Sequence, residues 1–431
     1  MHRTSADEKY RATIKSLSDR LVNAQRPVRI LDAIKWDDEV KREFLAAKGD
    51  RLPQVDASYY AGRPLGFDPA EKLREFREIE ADVILELGRL SSVGDVLRRM
   101  CREYSDVVRM LEARGQPAFA ELSRELYGST GEAFHAGEST LADFGRTISR
   151  ALNRIDKSLI LEADEKNITA PEAVEILGER LKKSFGDSSE GVRVIIDDGI
   201  VADAAAGSDY IKLRQDAMFS DRELRMLEVH EGWVHVGTTI NGAQQSVCTF
   251  LSKGPPSSTV TQEGLAVLME VFAFVTHPAR LRRLVNRIRA VHLAEEGADF
   301  MEVYRFYLEQ EFSPEESYIS AMRVFRGSVP DGQPFTKDIS YTKGFILVYN
   351  FIRFAVKNGK LEMVPLLFCG KTVIEDMRVL KHLLDEEILD RPRFVPPQFA
   401  DLHALTSWMC YADFLHGFNS SRLEADYASF F

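Results

Sequence analysis

The sequence predicts a mostly helical α+β protein, and three observations predict it. Capped segments with helical spacing occupy both ends of the chain. One cluster of short strand-like runs interrupts them between residues 192 and 214. A His-Glu-containing motif sits on the helix directly after that cluster.

In chain order, residues 1–190 read as helical. Val83–Leu87 and Leu97–Leu111 place apolar residues at helical spacing with charges between them. Thr169-Ala170-Pro171-Glu172 is a helix start, with Thr and Glu at capping-box spacing and a proline in the first turn. That helix is expected to run to about Phe185 and to break at Gly186-Asp187-Ser188-Ser189. Val192–Ile196, Ile200–Ala206 and Tyr210–Arg214 are the strand candidates, so the sheet is expected to be small. Asp197 and Asp198 read as turn residues. A second capping box, Ser220-Asp221-Arg222-Glu223, opens the next helix. From Thr261 onward the pattern is helical again, with loops at Pro330–Pro334 and Asp390–Pro397. The reading divides the chain into a helical part, 1–190, packed on a part, 191–431, that carries the chemistry.

Composition excludes several classes. The 431 residues carry a formal net charge of -11, which argues against a nucleic-acid binder. No secretory h-region opens the chain, and no apolar run reaches the ~20 residues of a membrane span. Cys101, Cys248, Cys369 and Cys410 form no CxxC pair and read as reduced thiols, which points to the cytoplasm.

His230-Glu231-Gly232-Trp233-Val234-His235 spells HExxxH. The zincin motif HExxH puts its histidines at i and i+4, on one helical face. Here the step is i+5, and an undistorted helix would turn the second histidine about 140° away. A π-bulge would restore the alignment, with Gly232 beside the strain; loosening of the helix near Gly237 is the alternative. A catalytic zinc takes three protein ligands and keeps an open position. Glu263, at the opening of an apolar helix expected to reach about Val275, is the candidate third ligand. Glu270, two turns on, is its rival. Trp233 reads as a core residue.

Thr261-Gln262-Glu263-Gly264-Leu265-Ala266 follows HExxxH at short range. With His235–Thr238, Asn241-Gly242, Arg323–Gly327, Phe335–Asp338, Tyr341 and Gly344, it resembles the flavohaemoglobin-expression-modulating QEGLA-motif proteins. Their animal relatives include the microtubule-associated tyrosine carboxypeptidases, which remove the C-terminal tyrosine of α-tubulin. The likeness runs from about residue 20 to 415. It implies a zincin-like metallopeptidase with one Zn2+ on His230, His235 and Glu263, and Glu231 as the catalytic carboxylate. It does not carry the substrate over, because the acidic chain shows no basic extension to grip an acidic microtubule.

The expectation is therefore a zinc carboxypeptidase acting on a peptide or protein C-terminus, with a Tyr-like terminal residue as one candidate. Glu231 would take a proton from the attacking water, and Tyr341 would donate to the developing oxyanion. Arg326 and Lys337 are candidates for the substrate carboxylate. Tyr210–Arg214, read as an edge strand, would pair with the peptide. An endopeptidase or aminopeptidase on the same metal is the second reading, and a non-enzymatic regulatory binding protein the third. Neither nucleic acid nor membrane is an expected partner, and the sequence leaves the oligomeric state open.

Overall fold

The computed structural model describes residues 5–134, 139–155, 165–186, 192–200, 202–418, 422 and 427–428. Helices dominate and two small sheets interrupt them, as an α+β reading requires. The Ala170–Phe185 helix ends at Gly186, where the expected break begins; the rest of that break, Asp187-Ser188-Ser189, lies outside the described residues.

The largest core draws from along the chain. Leu17 and Leu21 of the Ser5–Gln25 helix, Phe76 of Pro69–Leu87 and Leu97 of Ser92–Glu112 join Leu265, Val348 and Phe399 in one buried cluster. The Ser92–Glu112 helix buries apolar side chains every three or four residues, the spacing that keeps one face inward.

The second capping box forms as its spacing predicts. Ser220 N–H donates to Glu223 Oε2 at 3.0 Å, and Glu223 N–H donates to Ser220 Oγ at 3.1 Å. These bonds fix the first turn of helix Asp221–Leu227, which runs straight into the motif. Behind the motif lies the Ala170–Phe185 helix, whose Leu181 and Phe185 share a buried cluster with Ile211, Leu224 and Val236.

Among the described residues the strands are β1 (Ile168–Thr169), β2 (Arg193–Ile196), β3 (Ala204–Ala206), β4 (Tyr210–Leu213) and β5 (Met218–Phe219). The β1–β5 pair was not anticipated, since two-residue strands carry no alternation to read. The larger sheet has the order β2-β4-β3, parallel on one side and antiparallel on the other. This corrects one expectation. Strand β4 is paired on both sides, so it cannot take a peptide; the edge next to the motif is β3. The tight hairpin at Gly207-Ser208-Asp209 returns β4 alongside β3, and the sequence order alone did not reveal which of them would be covered.

A second correction concerns Glu263. It does not open its helix but lies in the middle of Pro256–Phe272, because Pro256 in the first turn starts the helix five residues earlier than Thr261. This helix crosses Ser340–Lys357 at a glycine pair. A Cβ on Gly264 would fall 2.0 Å from the Gly344 carbonyl carbon, and one on Gly344 would fall 1.8 Å from the Val260 oxygen. Bare backbone on both helices brings Glu263 and Tyr341 onto neighbouring faces of one crossing.

Gly264→Ala should therefore force the two helices apart and cost about 3 kcal/mol or more. Gly178→Ala, where an added Cβ meets nothing within 4 Å, should be neutral or stabilise by about 0.5–1 kcal/mol. Urea unfolding of the two variants checks the contrast.

Candidate functional site

Residues Glu228–Val236 form a π-helical segment between α-helix Asp221–Leu227 and α-helix Gly237–Ala243. The five-residue turn stacks His230 and His235 one above the other, with ring centroids 4.9 Å apart. The alternative of a helix loosening at Gly237 does not occur; that glycine continues the helix. Gly232 contributes by size. A Cβ there would sit 2.5 Å from Leu181 Cδ2, so the missing side chain admits the helix behind.

A widened turn leaves carbonyls poorly matched, and polar side chains meet them. Thr238 Oγ1 donates to Val234 O at 2.6 Å and Thr239 Oγ1 to His235 O at 2.8 Å. Lys371 Nζ donates to His235 O at 2.8 Å and to Gln262 Oε1 at 3.0 Å. Thr238 Oγ1 also lies 2.8 Å from Gln262 Oε1. Gln262 thereby ties the π-segment to the helix that carries the next residue, Glu263. Burial pushes the Lys371 ammonium down to about 7, against the pull of Glu263.

Glu263 Oε2 lies 3.5 Å from His230 Nε2 and 3.4 Å from His235 Nε2. Zinc–ligand bonds of 2.0–2.2 Å at tetrahedral angles separate neighbouring donor atoms by about 3.4 Å. The donor atoms of all three residues fall within 4.8 Å of one another. Glu263 Oε2 is also a buried oxygen with no hydrogen-bond partner. The donor set, its spacing and this orphaned oxygen fit a single divalent ion.

Glu270, the rival ligand, does something else. It is 0% exposed, and its Oε1 lies 2.7 Å from His230 Nδ1. A carboxylate only accepts, so Nδ1 carries the proton and Nε2 faces Glu263. Arg280 holds Glu270 by two bonds, Nε to Oε2 at 3.0 Å and Nη2 to Oε1 at 2.8 Å. Burial would raise the Glu270 carboxyl, but Arg280 and His230 outweigh it and hold it at about 2. Burial would likewise lower His230, yet Glu263, Glu270 and Glu231 lift it to about 10. Lys337 Nζ approaches Glu263 Oε1 at 3.5 Å, and with both histidines it keeps that carboxyl well below its usual range despite burial.

Glu231 projects beside the histidines, its Oε1 3.9 Å from His230 Nε2. Its Oε2 accepts the Ala206 N–H of β3 at 3.1 Å. Tyr341 stacks on His230, centroids 6.4 Å apart, and Arg287 lies over the Tyr341 ring at 4.5 Å.

Beyond Tyr341 the wall is cationic. Arg323 grips Asp338 with two bonds of 2.7 and 2.8 Å. Arg287 and Arg326 share that same carboxylate's field, and neither has an ion pair of its own among the described residues. Burial and the Arg323 charge push Arg326 down to about 10. Arg326 is 7% exposed, and its Nε has no partner. Arg326 is thus inside the molecule, and Lys337 is half-buried.

The structure brings together His230, His235, Glu263, Glu231, Tyr341 and Lys337, with Arg326 in the adjoining cationic wall. Sequence reasoning missed the roles of Arg280, Arg287, Lys371 and Ala206. Trp233 packs on Phe185 at 4.9 Å, as a core residue should. An apolar cavity of about 740 Å³ lined by Leu347, Phe351, Phe354 and Met363 includes none of these groups.

The comparison with known families adds to this geometry. Residues 42–417 match the family model "Microtubule-associated tyrosine carboxypeptidase", and the chain belongs to that family. No curated protein matches the chain.

Glu270 supplies a pH test. A carboxyl held below its ordinary 4.5 contributes stability that is complete above 4.5 and is lost as pH falls through about 2. That contribution is roughly 3 kcal/mol. Glu270→Gln should lower stability by this order at pH 6 and flatten its decline between pH 4.5 and 3. An equal slope in urea unfolding of both proteins would show that the carboxylate is not held this way.

Proposed function

We propose that this chain is a zinc-dependent metallocarboxypeptidase that removes a C-terminal residue from a peptide or protein. The observation that carries the reading is the convergence of His230, His235 and Glu263 at zinc-ligand spacing with Glu231 beside them. When bound, zinc supplies Lewis acidity toward the scissile carbonyl and acidifies a water. Glu270 holds the Nδ1–H of His230 and so points its Nε2 toward Glu263, and Lys337 steadies the second oxygen of Glu263.

Glu231 takes the proton from the attacking water and returns it to the leaving amine. It is free to do so because it follows a ligand by one residue and is anchored by a main-chain N–H rather than by the ligand cluster. Tyr341, stacked on His230, is the donor for the oxyanion. The surplus of guanidinium over carboxylate at Arg287, Arg323 and Arg326 suits the terminal carboxylate of the substrate. An aromatic, Tyr-like terminal residue is the side chain the family's name suggests. The QEGLA-type motif belongs to the same reading: its Gln262, Glu263 and Gly264 respectively brace the π-segment, offer a ligand and permit the helix crossing. A cytoplasmic setting accords with four unpaired cysteines, three of them buried. Among the described residues no helix is long and apolar enough to cross a membrane.

Glu231→Gln should keep its metal while kcat falls about 10²–10⁴-fold. Wild type should cleave free-acid peptides in preference to C-terminally amidated ones, and Arg326→Ala should erase that preference. Cleavage of amidated peptides by wild type would favour the endopeptidase reading. Cleavage blocked by N-acetylation would favour an aminopeptidase.

A further inference from the structure

We propose that the outer edge of β3 binds the extended main chain of the substrate upstream of the scissile bond, in parallel register. The inference rests on the carboxypeptidase reading and adds how the substrate backbone is held.

Strand β3 is the edge of the order β2-β4-β3. In an antiparallel pair, alternate residues turn their N–H and C=O toward the neighbour and the others turn them away. Gly207 N–H donates to Tyr210 O at 2.7 Å, and Arg214 N–H donates to Asp203 O at 2.9 Å. With Ala205 opposite Lys212, residues 203, 205 and 207 therefore face β4, and Ala204 and Ala206 face outward. The outward bond from Ala206 N–H to Glu231 Oε2 at 3.1 Å agrees with this parity. The Ala204 N–H, the Ala204 carbonyl and the Ala206 carbonyl meet no partner among the described residues. They form a short row of unpaired strand groups that begins at the catalytic carboxylate.

The side chains keep that row open. Ala204, Ala205 and Ala206 are half-buried and carry only methyl side chains, so their own side chains do not block the outward groups. A sheet edge is normally paired, covered or charged, whereas this one leaves main-chain groups unpaired beside Glu231.

Direction follows from length. A carboxypeptidase leaves one residue downstream of the scissile bond, and a strand residue spans about 3.3 Å. Ala204 lies two residues, about 6.6 Å, from Ala206. One terminal residue cannot reach it while its carboxylate lies in the wall of Arg287 and Arg326. Only upstream residues can pair with Ala204, so the peptide runs from Ala204 toward Ala206, as β3 itself runs.

The test measures binding, which does not require turnover. Dissociation constants of a fluorescent free-acid pentapeptide and of an acyl-dipeptide are measured on the zinc-loaded chain by anisotropy. Ala204→Pro deletes only an outward N–H, a change an edge strand tolerates. It should weaken the pentapeptide about three- to tenfold, the effect of one main-chain hydrogen bond, and the dipeptide less than twofold. On wild type, N-methylating upstream amides one at a time should reproduce the loss at one position. This arm holds even if Ala204→Pro fails to fold. Upstream N-methylation that never changes binding more than twofold would overturn the proposal. So would a dimer that Ala204→Pro dissolves without changing peptide affinity. Length-dependent binding without any C-terminal cleavage by wild type would support the edge and sink the carboxypeptidase reading alone.

Discussion

Two imidazoles five residues apart can meet at one point only if the helix that carries them makes a five-residue turn. The remainder of the site follows from that constraint. A π-turn is wide and holds its own carbonyls poorly, so it persists where neighbours over-determine it. Here Leu181 fills the space left by Gly232, Thr238 and Thr239 bond back to Val234 and His235, and Lys371 caps the His235 carbonyl. Gln262 joins both Thr238 and Lys371, which fixes the π-turn against the neighbouring helix one residue before Glu263. The same contacts that stabilise an unusual turn therefore also set the distance between the histidines and the glutamate.

Charge organises the surroundings in alternating layers. Glu263, Glu270 and Glu231 crowd the two histidines and create a place that favours positive charge. Arg280 and Lys337 answer the outer carboxylates. Beyond Tyr341 the balance reverses, because three guanidiniums share Asp338. A substrate that presents a polarisable carbonyl to the first region and a carboxylate to the second would match both. The Gly264–Gly344 crossing sets these two regions side by side.

Much of this was legible in the sequence, for identifiable reasons. Capping boxes at Thr169 and Ser220 announce helix starts because the bonds they make are local. The i+5 step between His230 and His235 already called for a distorted helix, either a π-bulge or a loosened end near Gly237, and only the structure decides for the first. Glu270 was visible as a residue on the face of Glu263, but whether it would bind a metal or a histidine depended on Arg280, which lies beyond a turn. The covering of β4 by β3, the bond from Ala206 to Glu231 and the burial of Arg326 depend on tertiary pairing between segments with no periodic signal. Lys371 is more than a hundred residues from the turn it caps, and nothing local marks it.

A three-ligand metal site assembled by the π-turn is the proposal on which the other roles depend. Its most direct test is the zinc content per chain, by plasma emission spectrometry, of wild type and of His235→Ala expressed with zinc supplied. The account predicts about one zinc in wild type, lost in the variant. No zinc in wild type, or equal zinc in both, would contradict it.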